Sequence, residues 1–423
     1  MTAWLGRSPS DVLNTTSSRR YDLDWLRVLA FSLLIFYHTG MLYVEHWDFH
    51  FKSQYLSSSL EYLMLLSSPW RMLLIWFISG YALGVVLQQL VAWQFLHFAM
   101  RRTLLLLLPL LTGLWLIVPP QLYAQMWQDG AHQLSYWAFY QAFLDLQHPL
   151  FANYQSGVWP HVDVNHLWYL RSLWLFTLGI LLFWPLLRWQ KFQQGVAQVL
   201  QLALPWQIAI FSLMLLLIRV ATDGDSDSRR DWSGLVFLVL GLLTVKQPSF
   251  WQQLEKARPW LGLVCLLNCG LLLGCYYLRQ QSELGTTWQS HLQLLRWVSY
   301  SLQAVAMTCW LLALAQRFLN HPHRYLASAN RAIFPIYLVH QSLIIMAAMM
   351  LTPYALGGAV EALLVILLTV GGCALLLFIL WKMPLLAPLF GLKTKRVYAR
   401  PWQHLGEVLG LLLVLPLAYA LLF

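Results

Sequence analysis

The feature that most constrains this chain is its succession of apolar runs, each long enough to cross about 30 Å of hydrocarbon as a helix of about 20 residues. Ten such segments start near Trp25, Trp70, Arg102, His166, Ala203, Trp232, Arg258, Leu294, Ala332 and Gly358. A further run over 405–423 is long enough either to cross or to lie against the bundle. Charged residues make up only 10% of the 423, against roughly 25% in an ordinary soluble protein, so a soluble globular domain is excluded. Disorder is excluded by the same apolar content. The expected fold class is an all-α polytopic membrane protein, a bundle of ten transmembrane helices with the C-terminal run as an eleventh span. The chain divides into a polar tail over 1–24 with no apolar core of a signal peptide, a ten-span membrane domain over 25–390, and a basic loop with the last run over 391–423. The run from Trp232 to Val245 is the shortest of the ten, and losing it would invert everything downstream.

Charge supports the count. With the N-terminus cytoplasmic, one side receives Arg19, Arg20, Arg101, Arg102, Arg188, Lys191, Lys246, Lys256, Arg317, Arg324 and Lys382, while the long opposite loop from Gln125 to Asn165 has no Lys or Arg. Positive residues stay inside, so an even number of spans before Lys382 is required. The net charge of +10 is therefore read as topology and gives no nucleic-acid partner. Lys393, Lys395, Arg396 and Arg400 read as a cytoplasmic segment facing anionic lipid. Trp25, Trp70, Trp127, Trp206, Trp232, Trp260, Trp297 and Trp402 stand at span ends, as interfacial anchors do. Segments 131–147 and 189–202 mix aromatic and polar residues and read as interfacial helices or as loops. No inverted repeat of broken spans is visible. Cys265, Cys269, Cys275, Cys309 and Cys373 all fall in apolar runs and read as packing.

Ionisable side chains inside lipid cost about 2.5 to 3.5 kcal/mol on insertion scales, so each is a functional candidate. Arg27 stands near the inner edge of the first span and His38 eleven residues later, about 16 Å deeper along the helix. His340 is about 12 Å into the ninth span. The fourth span opens with His166, followed by Arg171. These residues are expected to line one polar cavity. The competing readings are a snorkelling anchor for Arg27, interhelical hydrogen bonds for His38 and His340, and a helix cap for His166.

Four motifs then line up in order. Asp24-Trp25-Leu26-Arg27 followed by ten residues and His38 resembles the Arg-x10-His signature of the bacterial membrane acyltransferase type 3 family. Trp70-Arg71-Met72 leading to Phe77-Ile78-Ser79-Gly80-Tyr81 is similar to that family's second-span motif. His166-Leu167-Trp168-Tyr169-Leu170 is similar to its His-Leu-Trp-Phe-Leu motif, and Pro335 to Gln341 to its late-span motif. The resemblance covers about residues 20 to 390. Val118-Pro119-Pro120-Gln121-Leu122-Tyr123 and the Trp-Arg-Met lead-in look most like the branch containing glucan biosynthesis protein C. One departure stands out. The family's third span often opens with two basic pairs, whereas here Arg101 and Arg102 are followed by Thr103 and leucines up to Pro109.

The resemblance implies an integral O-acyltransferase of the bacterial inner membrane, with an acyl-coenzyme A donor (acetyl or succinyl) and a glycan or other envelope carbohydrate as acceptor. Acyl transfer needs a base for the acceptor hydroxyl and a donor for the developing oxyanion. Neutral histidine suits the first role, and His38, His166 and His340 are the candidates. His38 either deprotonates the acceptor or first takes the acyl group itself. Ser79 either serves the oxyanion or satisfies its own helix. Arg27, Arg101 and Arg102 are expected to hold the donor's phosphates, and Arg71, Arg171 and Trp168 the acceptor or an acyl carboxylate. Gly80 and Gly84 form a small-xxx-small pair suited to close helix packing. Asp223-Gly224-Asp225-Ser226-Asp227 departs from a calcium loop at Ser228 and Gly234, and reads as a solvated loop. His161 to His166 contains compatible ligands without fixed geometry, so no metal is expected. The alternative is a transporter or flippase using the same His and Arg residues, or a structural scaffold.

Overall fold

The computed structural model describes residues 19–91, 94–154, 157–281, 285–383, 386–392 and 401. Among them no strand forms, and extended pairing is limited to isolated bridges such as Val44 with Ser57. The helices of seven or more residues, in chain order, are α1 (Tyr21–Met41), α2 (Ser59–Leu65), α3 (Arg71–Leu87), α4 (Gln94–Thr112), α5 (Pro119–Gln128), α6 (Tyr136–Leu144), α7 (Trp168–Leu182), α8 (Gln190–Gln201), α9 (Leu204–Ala221), α10 (Ser226–Leu243), α11 (Pro248–Gln280), α12 (Thr286–Phe318), α13 (Leu326–Leu351) and α14 (Gly358–Lys382).

Among the described residues six stretches are long and apolar enough to cross a bilayer: Gln94–Gln128, Leu204–Ala221, Pro248–Gln280, Thr286–Phe318, Leu326–Tyr354 and Gly358–Lys382. The chain is a multi-pass membrane protein. Helices also occupy the other four positions expected from sequence, α1, α3, α7 and α10, with 21, 17, 15 and 18 residues. They are shorter or carry charge in their first turns, as Asp22 and Asp24 do in α1 and Asp227 does in α10. The third expected span begins at Gln94 rather than near Arg102, because the turns carrying His97 and Arg101 continue the helix instead of preceding it. Both amphipathic segments form helices, as α6 and α8. The expected crossing over 405–423, Trp402, and Lys393, Lys395, Arg396 and Arg400 lie outside the described residues, as does most of the tail over 1–24.

Two compact units divide the chain. The first comprises the segments up to Ala30, Tyr62–Leu90 and Pro185–Ala327. Within it α3 and α10 approach so closely that a Cβ on Gly80 would fall on the Leu238 carbonyl, and one on Gly241 on the Phe77 carbonyl. Small residues on both faces are what permit this approach in an apolar solvent, where packing rather than water expulsion joins helices. The 33-residue helices α11 and α12 share a polar rivet. Asn268 Nδ2 donates to the Ser299 carbonyl and to Gln303 Oε1, both at 2.9 Å, and Ser299 Oγ donates to Asn268 Oδ1 at 3.0 Å. At the start of α1, Arg20 pairs with the fully buried Asp22 at 2.6 Å while its guanidinium lies 3.8 Å over the Trp251 ring.

The second unit comprises Phe31–Glu61, Val91–Trp184 and the chain from Ser328 on. Here α4 packs on α7, where the indole of Trp174 donates to Thr103 Oγ1 at 3.0 Å. The glycine contact yields a test. Gly80→Val or Gly241→Val should lower stability by about 1–3 kcal/mol through overpacking, read as a fall in melting temperature in detergent. Gly179→Ala, where an added Cβ meets nothing within 4 Å, should not lower it.

Candidate active site

The site grows from a break in a long helix. After α4 the backbone passes through a π turn, Gly113–Ile117, and resumes as α5 at Pro119. Pro119 and Pro120 have no N–H, so the carbonyls of Trp115 and Leu116 lose their helical donors. Gln121 N–H turns to Val118 O at 2.8 Å, which leaves Ile117 O without a helical donor as well. At membrane depth such groups must be met by protein. The Tyr140 hydroxyl of α6 donates to Trp115 O at 2.7 Å, and the Ser342 hydroxyl of α13 donates to Ile117 O. The proline pair therefore ties three helices of the second unit together.

Gln121, immediately after the prolines, is fully buried and satisfies every hydrogen-bonding position of its amide. Its Nε2 donates to Ser342 Oγ at 2.7 Å and to His166 Nδ1 at 3.1 Å. Its Oε1 accepts from Gln341 Nε2 at 3.0 Å and Asn165 Nδ2 at 3.2 Å. The tautomer of His166 follows. Its Nε2 lies 2.8 Å from the Leu338 carbonyl, which can only accept, so Nε2 carries the proton and Nδ1 receives from Gln121. The Tyr337 hydroxyl holds the backbone of the same residue, donating to His166 O at 2.6 Å. Both ring nitrogens of His166 are thus occupied.

His340 differs. Its Nδ1 donates to the Tyr337 carbonyl at 2.8 Å, so its Nε2 bears a lone pair. That Nε2 is buried and has no hydrogen-bond partner among the described residues. The three histidines expected from sequence come together in this unit. The His340 ring centroid lies 5.2 Å from that of His38 on α1 and 5.4 Å from that of His166. Phe49, from the loop after α1, stacks on His38 at 6.0 Å and 22°. Further back along α1, Phe31, Tyr169 and Tyr337 form an aromatic triangle with centroids 5.6 to 6.2 Å apart.

The other candidates are distributed. Trp168 and Arg171, both half-buried, open α7 in the second unit, and Arg101 and Arg102 stand on α4 in the same unit, the former exposed. Arg27, Arg71 and Ser79 belong to the first unit. There Arg71 is 8% exposed at the start of α3, and Ser79 adjoins the glycine contact with α10. Asp225 does not gather ligands. Its carboxylate caps α10, accepting from the N–H groups of Asp227 and Ser228, both at 3.0 Å. These bonds to Ser228, with the N–H of Asp227, hold its pKa below the ordinary carboxylate value. His161 and His166 direct their Nε2 atoms to different carbonyls, Phe143 at 2.9 Å and Leu338 at 2.8 Å. All five cysteines are free. Sequence reasoning missed Gln121, Asn165, Gln341 and Ser342 as a network, although the proline pair beside Gln121 marked the break that it fills.

The loop that carries His161 supplies a pH test. His161 is buried against Phe151, with ring centroids 4.0 Å apart, and burial lowers its pKa below 6.5. The unfolded chain takes up the proton near pH 6.5 while the folded imidazole resists it. Its stabilisation is therefore full above that pH and is lost as pH falls toward the lower folded value. The melting temperature should be lower at pH 5.5 than at 7.5, and His161→Gln should narrow that difference.

A family model described as an acyltransferase domain, that of the type 3 acyltransferases, matches residues 20–378. No curated protein and no solved structure matches the chain significantly. The matched stretch contains all three clustered histidines and every helix from α1 to α13, and the chain belongs to the type 3 acyltransferase family of membrane proteins.

Proposed function

We propose that this membrane acyltransferase moves an acetyl or succinyl group from acyl-coenzyme A to a hydroxyl of an extracytoplasmic glycan. The observation that carries the reading is the buried lone pair of His340 Nε2 beside the His38 ring. The base is assigned to a ring nitrogen of His38, whose imidazole centroid stands 5.2 Å from that of His340. That nitrogen takes the proton of the acceptor hydroxyl while the oxygen attacks the thioester carbonyl. The C–S bond then breaks, and the thiolate leaves with the proton from the imidazolium. An imidazole, whose ordinary pKa lies near working pH, can both take up and give back a proton there.

His166 is assigned a positioning part, because a proton on its Nδ1 would require Gln121 to turn away from four partners. Ser79 is assigned to the oxyanion. Arg27, Arg101 and Arg102 are assigned to the donor's phosphates on the inner side, by the charge pattern of the sequence and the forked donors of arginine. Arg71, Arg171 and Trp168 are assigned to the acceptor or to the free carboxylate of a succinyl group. The same charge pattern supports ten spans before Lys382, a cytoplasmic N-terminus and a bacterial inner-membrane location. The Val118–Tyr123 motif supports a place in the branch containing glucan biosynthesis protein C, which favours succinyl as the group transferred.

The test is transfer of labelled acetyl and succinyl from coenzyme A to extracted periplasmic glycans, in membranes with matched protein levels. His38→Ala should lower the rate by about 10²–10⁴-fold, and Arg27→Ala should raise the KM for the donor. Transfer at the wild-type rate by His38→Ala would refute the mechanism, and transport of an anion without consumption of donor would refute the enzyme.

A further inference from the structure

The loop between α1 and α2 makes no repeating structure, yet it is pinned at several points, all within the second unit. Glu361, in the first turn of α14, is fully buried. Its Oε1 accepts from the Ser53 hydroxyl at 2.6 Å and from the Tyr43 hydroxyl at 3.2 Å. Burial and then the neighbouring Glu361 push the Tyr43 phenol well above its ordinary pKa, so it remains a donor. Lys52 and Gln128 lock amide to backbone, with Lys52 N–H donating to Gln128 Oε1 at 2.8 Å and Gln128 Nε2 to Lys52 O at 2.6 Å. The Lys52 ammonium donates to Val44 O at 2.7 Å and caps the end of α1 at Met41 O, 3.1 Å away. Phe51 is completely buried in the apolar cluster with Ile344, Ile345 and Val365.

What this anchorage holds in place is the pair just before Phe51. The Phe49 ring lies nearly parallel to the His38 imidazole, 6.0 Å away. The His50 Nδ1 donates to Gln125 Oε1 on α5 at 3.0 Å, and its ring lies 5.7 Å from that of Phe49. A loop of this length with no element of its own would ordinarily move, and here buried hydrogen bonds hold one apolar ring over one imidazole.

We infer that Phe49 is the water-excluding cover of His38, and that Glu361 is a positioning residue that holds this cover in place. The inference deepens the proposed function and rests on it for its chemistry. A base that removes a proton from a sugar hydroxyl removes one equally from water. Water, far more concentrated than any glycan, would then attack the thioester carbonyl, breaking the C–S bond to release free carboxylic acid and coenzyme A thiol. The Phe49 ring, with its centroid 6.0 Å from that of the imidazole, fills space beside His38 that water would otherwise enter, which biases the base toward an acceptor that is bound and oriented.

Two readouts separate the cover from the function it serves. The first is chemical modification of His38 by diethyl pyrocarbonate in the full-length protein, followed by mass spectrometry of its peptide. Phe49→Ala and Glu361→Gln should raise the labelling rate about tenfold, and Phe49→Leu should keep it near wild type. Equal rates in all four proteins, at matched melting temperatures, would overturn the cover whatever the reaction is. The second is the ratio of released free acid to acylated glycan from labelled acyl-coenzyme A. Phe49→Ala should raise that ratio at least tenfold, and the added acid should vanish in Phe49→Ala combined with His38→Ala. An unchanged ratio with faster labelling would overturn the selectivity claim. Donor left intact by the folded wild type, with glycan present, would refute the proposed function while the labelling result still decides the cover.

Discussion

A single amide, that of Gln121, holds the candidate site together. The proline pair before it, with the turn of its own N–H to Val118 O, takes helical donors away from successive carbonyls of a helix long enough to cross the membrane, and hydroxyls from α6 and α13 meet two of these, Trp115 O and Ile117 O. Ser342 does so while accepting from Gln121, and Gln121 at the same moment fixes His166, Asn165 and Gln341. Each of these groups is buried or nearly so, and leaving a buried polar group unmet costs about 1–3 kcal/mol. The network is closed, which is the condition under which polar groups specify rather than weaken an apolar interior. Without it the segment that carries His340 would keep only the bonds from Tyr337 and Leu338 to the segment that carries His166, and His166 Nδ1 would lose its donor.

From that constraint the division of labour among the three histidines follows. They have the same chemistry in solution and differ only in what their nitrogens meet. His166 gives its proton to a carbonyl and receives another from Gln121, so it has no capacity left. His340 gives its proton to the Tyr337 carbonyl and keeps a buried lone pair. His38 stands at the end of α1 between that ring and Phe49. His166 is thereby fixed at both ring nitrogens, His340 at one, and the proposal of His38 as the base rests on that difference.

Much of this was legible in the residues. The apolar runs marked the positions of the helices, and the rarity of ionisable groups in lipid marked His38, His166 and His340, which the fold then gathers although they are distant in sequence. Gly80 and Gly84 showed their packing role by spacing alone. What was not legible has physical reasons. Periodicity does not say where a helix of mixed composition begins, so α4 starts a full two turns before the expected position. The partners of a buried amide depend on tertiary approach, so Gln121 carried no signal beyond its neighbouring prolines. The loop holding Phe49 has neither period nor motif, and the contacts that anchor it come from residues as distant as Gln128 and Glu361. Asp225 read as part of a solvated loop, and its capping of α10 was not foreseen, because a cap depends on where the helix begins.

The central claim is that acyl transfer takes place at the His38 and His340 pair. Its most direct test is the structure of the full-length protein with a non-cleavable acyl-coenzyme A analogue bound. The account predicts the carbonyl carbon of the analogue close enough to a ring nitrogen of His38 that a hydroxyl positioned between them would lie about 3–3.5 Å from the carbon. An acyl group bound away from both rings, with His38 and His340 still packed as they are here, would contradict it.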